Sequence, residues 1–234
     1  MSKLLSTKSM RRIALALGLQ AGSDGRALGT YMRHITLIRH GESLAQINQE
    51  ESGVNPDLSP NGEQQAIHLK GRTHELSPDV ILVSPLLRAY RTYQLSGLSA
   101  PSIQVDPRLV ESDWGIDGFY DGLDCSYLED GEGIAAQVGR HINARERACS
   151  LIDSIIHSEH ERYVLIGHWG IFNELFHAFV GLRTSSNTVT LTENTALSQL
   201  EINDEGKRLI HSWNDASHLR QRAEESGARR DGLG

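Results

Sequence analysis

The sequence predicts an α/β protein, a three-layer sandwich in which a mainly parallel central sheet carries helices on both faces. Two observations lead there. Short apolar, β-branched runs at residues 35–38, 79–83, 103–105 and 163–166 alternate with longer segments of helical composition. Two of these runs end at a histidine beside a glycine, Arg39-His40-Gly41 and Gly167-His168. In open α/β sheets ligands bind outside the carboxyl ends of the strands, so both histidines are expected at one edge.

The chain has 234 residues, enough for one domain with a real core, and a net charge of −7. That charge, with no dense Lys/Arg run outside the termini, argues against a nucleic-acid binder. No stretch of about 18 apolar residues exists, so no membrane span is expected. Two cysteines, Cys125 and Cys149, make neither a disulfide framework nor a zinc cluster. A cytoplasmic location is expected, or an organellar one if the first 33 residues form a transit peptide.

Residues 1–33 stand apart: they are basic, with Asp24 the sole acid. They read as a transit peptide, a weak secretory signal, or an extension before a start at Met32. The domain is expected over 34–214, with a disordered tail at 215–234. Within it, Ser59 is a candidate helix cap with Pro60 at the first helical position, and the helix should reach about Leu76. Ser84 and Pro85 repeat that pattern and place Arg88, Arg91 and Thr92 in the first two turns of the next helix.

Residues 107–133, rich in Gly and Asp, suit a loop over a site. A long helix is expected over 134–158 and another over 171–180. Further strands are expected at 188–191, 196–202 and 208–213, the last two as a hairpin around Asp204-Glu205-Gly206.

Two arginines and two histidines at one sheet edge would make a pocket for a dianionic oxyanion, since guanidinium forks match phosphate oxygens. Neutral His40 could attack phosphorus, and His168 could donate to the equatorial oxygens. Gly41 would let the backbone turn and approach a ligand. Glu111 is the candidate proton donor to a leaving alcohol, provided its surroundings raise its pKa. The other histidines, including His157 and His160, read as ordinary residues of predicted helices or the tail. Asp113, Asp117, Asp121 and Asp124 lack the closing glutamate of a calcium loop.

These segments resemble those of the histidine phosphatase superfamily, the phosphoglycerate mutase-like proteins. The resemblance rests on Leu37-Ile38-Arg39-His40-Gly41-Glu42-Ser43, the helix start at 58–66, Ser84-Pro85-Leu86-Leu87-Arg88-Ala89, Arg108-Leu109-Val110-Glu111 with Trp114-Gly115, the segment 164–170, and 192–198. It covers about residues 34–214. It implies that His40 becomes phosphohistidine, that Arg39, Arg88 and His168 bind the phosphate, and that Glu111 donates the proton and later activates water. No cofactor and no metal are expected, because the arginines supply the positive charge.

Two positions depart from the family pattern. Gln46 stands where Asn is usual, with Asn48 two residues on, and either could reach the phosphate. Trp169 replaces the small residue after the second histidine, and its indole could narrow the pocket, stack on a substrate or simply pack. His168 follows Glu111 by only 57 positions, short for a mutase, which favours a phosphatase. The expected substrate is a small phosphomonoester or a phosphoprotein; a homodimer is left open. The competing reading is a non-catalytic phosphate-binding or protein-interaction module on the same fold.

Overall fold

Period-two alternation along the strands builds the layers. The computed structural model describes residues 32–48, 53–112, 120, 122–138, 143–182, 188–203 and 205–220. The readings made for residues 1–31, for Trp114, Gly115, Asp113, Asp117 and Asp121, and for 221–234 lie outside these.

The elements run β1 (Met32–Arg39), α1 (Leu44–Ile47), α2 (Pro60–His68), α3 (Lys70–Thr73), β2 (Val80–Val83), α4 (Leu87–Leu95), β3 (Ser102–Val105), a 3-10 turn (Pro107–Leu109), α5 (Gly131–Val138), α6 (Ala144–Ile156), β4 (Arg162–Gly167), α7 (Trp169–Val180), β5 (Leu197–Asn203) and β6 (Arg208–Asp215). One sheet has the order β3-β2-β4-β1-β5-β6. β3, β2, β4 and β1 are mutually parallel; β5 and β6 are antiparallel additions.

Successive strand residues point to opposite faces. Ile35, Leu37, Val80, Leu82, Tyr163, Leu165, Leu200 and Ile202 pack against α6 and α7. Ile38, Ile81, Val83, Val164, Ile166 and Leu197 pack on the other face against Leu69 and Ala89 of the α2–α4 layer. Phe172 and Phe179 of α7 are fully enclosed; truncating either to Ala would cost about 3–5 kcal/mol.

Several elements differ from the sequence expectation. The helix after Ser59 breaks at Leu69 into α2 and α3; Ser59 does cap it, accepting from Gly62 N. The helix expected over 134–158 is two, with Asn143 capping the second. Ser84 does not cap α4, whose N-cap is Leu86 with no side-chain bond.

Residues 188–191 form no strand. Their backbone groups are taken by side chains instead. Asn173 Oδ1 accepts from Thr190 N, and Trp169 Nε1 and Trp213 Nε1 donate to Thr190 O and Leu191 O. Residues 215–220, expected in the tail, are held: Ala216 is buried and Asp215 pairs with Arg72 at 2.7 Å.

Candidate active site

Register brings the two histidines together. Arg39 of β1 is the Cα partner of Gly167 of β4, so His40 and His168 leave neighbouring parallel strands at the same level. His40 N donates to Gly167 O at 3.0 Å. Both rings are buried, with centroids 5.0 Å apart.

His40 Nδ1 lies 2.6 Å from Gly41 O. A carbonyl only accepts, so Nδ1 carries the hydrogen and Nε2 keeps its lone pair. Arg88 Nε donates to that Nε2 at 3.3 Å. Burial first, then the Arg88 and Arg39 charges, hold His40 well below the usual imidazole range. The ring is therefore neutral at neutral pH.

His168 is neutral for the same leading cause, burial, reinforced by Arg88. Its Nε2 sits 2.8 Å from Ser84 Oγ, and its Nδ1 is a buried atom with no partner among the described residues. Leu86 N donates to the same Ser84 oxygen. With Ser84 O–H donating to Nε2, Nδ1 carries the ring hydrogen and becomes a free donor. Arg39 Nε is likewise buried and unpartnered, while its Nη1 donates to Thr192 O. Each stranded donor costs about 1–3 kcal/mol, a cost that acceptor oxygens of a ligand would remove.

Glu111 follows the 3-10 turn and reaches the start of α7. Its Oε1 accepts from Ser112 N at 2.7 Å and from Ile171 N, in the first turn of α7, at 3.1 Å. Burial raises its pKa; the two amides, Arg88 and Arg39 oppose that without cancelling it. Gly170 makes the approach possible, since a Cβ there would lie 2.4 Å from Glu111 Oε1. Arg147, on the buried stripe of α6, donates to the carbonyls of Arg108, Val110 and Glu111, and Tyr120 Oη also donates to Glu111 O.

The glycine of the first motif works differently from the expectation. Gly41 has no positive φ; a Cβ on it would meet Gly62 O at 2.5 Å, and one on Gly62 would meet Glu42 O at 1.9 Å. Gly41 is there for backbone-to-backbone packing, and its N–H goes to Thr92 Oγ1 at 2.9 Å.

Gln46 and Asn48 separate clearly. Gln46 Oε1 accepts from Ser43 N, and its amide exchanges bonds with Asn194, whose Nδ2 also donates to His40 O at 3.0 Å. Asn48 is the exposed C-cap of α1, bonded through its backbone. Trp169, the residue after His168, lines a cavity with Arg39, Leu191 and Asn194. Sequence reasoning gave Ser84 only a capping role and gave Asn194 none. It missed Arg147, whose one signal is a cation on the apolar 144-148-151-155 stripe of a helix.

Fold and site together define an α/β protein of phosphoglycerate mutase-like architecture. The profile described as "Histidine phosphatase superfamily (branch 1)" matches residues 35–216, and the chain belongs to that superfamily.

A probable phosphoglycerate mutase of Erwinia tasmaniensis is 24% identical over 216 residues, covering 82% of this chain and 97% of the relative. Phosphoserine phosphatase from Entamoeba histolytica, a mutant in complex with phosphoserine, superposes with a TM-score of 0.59 at 20% identity, over 80% of this chain and 99% of that one. A mycobacterial glucosyl-3-phosphoglycerate phosphatase, in complex with VO3, gives a TM-score of 0.57 at 22% identity, over 79% of this chain and 100% of that one. These likenesses establish the fold. No helix among the described residues is long and apolar enough to cross a membrane.

Proposed function

We propose that the protein is a metal-independent phosphomonoester hydrolase that works through a phosphohistidine at His40. One observation carries the reading: His40 Nε2 keeps a lone pair, in a buried cage lined by Arg88 and by the unpartnered donors His168 Nδ1 and Arg39 Nε. Such a cage suits the charge that spreads over the equatorial oxygens in phosphoryl transfer.

His40 Nε2 attacks phosphorus, the bond from phosphorus to the ester oxygen breaks, and the Glu111 proton goes to the departing alkoxide. Water then attacks the phosphorus of the phosphohistidine. Glu111, now a carboxylate, takes the proton of that water, the P–N bond breaks, and His40 recovers its lone pair as phosphate leaves. Burial of Glu111 supports the first role, because an acid must hold its proton near working pH. Asn194 and Gln46 position the His40 backbone, and Ser84 orients His168.

The short interval between Glu111 and His168 favours hydrolysis over mutase transfer, although the Erwinia relative is named as a probable mutase. The assay is release of inorganic phosphate from 4-nitrophenyl phosphate in the presence of a chelator. Turnover that disappears in His40→Ala supports the reading. Phosphate binding without turnover would favour a binding module, and transfer to a second hydroxyl that requires a bisphosphate primer would favour a mutase.

A further inference from the structure

Beside the phosphate cage lies a cavity of about 540 Å³, within the range of small-molecule sites. Its wall includes Arg39, Trp169, Leu191, Glu193, Asn194 and Leu219. Arg39 belongs both to the cage and to this wall, and Trp169 directly follows His168, so the part of an ester beyond a phosphate held in the cage can extend into this space. Trp169 is anchored at its edge, with Nε1 donating to Thr190 O at 2.5 Å, so the ring stays part of the wall. Leu191 is 75% exposed beside it, an apolar surface that the described residues leave uncovered.

Charge narrows the class of ester. Among the described wall residues Arg39 is the one cation, its Nη1 is already spent on Thr192 O, and Glu193 places a carboxylate on the same wall. A second anion on the alcohol would be desolvated without a partner and face a like charge.

We propose that this cavity is the leaving-group subsite, and that it selects phosphomonoesters of neutral alcohols carrying a flat apolar group over esters whose alcohol carries a carboxylate. The proposal rests on the hydrolase reading above. Trp169 provides the stacking surface and Glu193 the discrimination against anions.

Three alkyl esters of similar leaving-group acidity test it on the full chain: 2-phenylethyl phosphate, glycerol 3-phosphate and 3-phosphoglycerate. The expected order of kcat/KM is that order, with about tenfold between neighbours. Trp169→Ala should bring 2-phenylethyl phosphate down to the glycerol 3-phosphate level, mainly through KM, while Trp169→Phe keeps most of the preference. Glu193→Lys should raise 3-phosphoglycerate about tenfold.

A reversed or flat order, or an equal loss on all three esters in Trp169→Ala, overturns the subsite while leaving the hydrolase reading intact. Hydrolysis of none of the three, nor of 4-nitrophenyl phosphate, removes the hydrolase reading and this one with it.

Discussion

Arg88 Nε donates to His40 Nε2 at 3.3 Å, so a cation sits against the lone pair of the proposed nucleophile. This contact helps keep His40 deprotonated; with phosphate present, the same guanidinium can turn to the oxygens. Replacing Arg88 with Met should lower kcat/KM by about 10²-fold or more. Because Arg88 lowers the His40 pKa, its loss should also move the acidic limb of the pH profile upward. A pH–rate profile of residual activity checks both.

Thr92 joins that arginine to the nucleophile loop: its Oγ1 accepts from Gly41 N at 2.9 Å and donates to Arg88 O at 2.7 Å. Thr92→Val keeps the shape but leaves the buried Gly41 N–H unpaired, while Arg88 O keeps its helical partner. Urea unfolding should show a loss of about 1–3 kcal/mol, largely restored in Thr92→Ser.

Glu111→Gln should lower kcat on alkyl esters by about 10²–10⁴-fold. On an aryl ester the leaving group needs no proton, so the first step should survive while water attack slows. The variant should then show a burst of one product equivalent per chain. Its stability should also shift with pH. The folded-state pKa of Glu111 is raised, so above the carboxylate's ordinary range the unfolded chain gives up a proton that the folded one keeps. Wild-type stability therefore falls as pH rises through that window, and the advantage of the Gln variant should grow with it, as Tm measurements from pH 4 to 8 would show.

Backbone packing at the first motif gives a further outcome. Gly62→Ala puts a methyl 1.9 Å from Glu42 O, where only main chain can give way. Thermal unfolding should show a loss of at least about 3 kcal/mol, with α2 pushed from the nucleophile loop and activity lost along with stability.

His218 supplies an acid-sensitive contact behind the site. Its Nε2 is 3.0 Å from Thr195 Oγ1, and Thr195 N bonds Arg39 O and His40 O. Burial, with Arg72 and His68 adding and Asp215 opposing, lowers its pKa to about 4. Between an ordinary histidine value near 6.5 and about 4, the unfolded chain binds a proton that the folded one refuses. Stability should fall as pH drops through this window, and His218→Gln should flatten the slope by up to about 1.4 kcal/mol per pH unit.

The parallel strands and both histidines were legible because apolar runs with abrupt polar ends carry their own register. Arg39, His40 and His168 meet through that register, and Arg88 joins them from the first turn of α4. What the sequence hid depends on distant backbone. Residues 188–191 alternate like a strand, yet Asn173, Trp169 and Trp213 claim their backbone groups first. Ser84 reads as a cap until His168 arrives from β4, 84 residues later in the chain. Arg147 is a cation on an apolar helix stripe, and its reason shows only with its three carbonyl partners.

Chemical trapping tests the central claim most directly. The protein is mixed with a ³²P-labelled phosphomonoester in chelator, quenched in alkali, and the retained label mapped. The account predicts label that is stable in alkali, released by acid, located on His40 and absent from His40→Ala. A protein that hydrolyses the ester but never carries such label, or carries it on another residue, would contradict it.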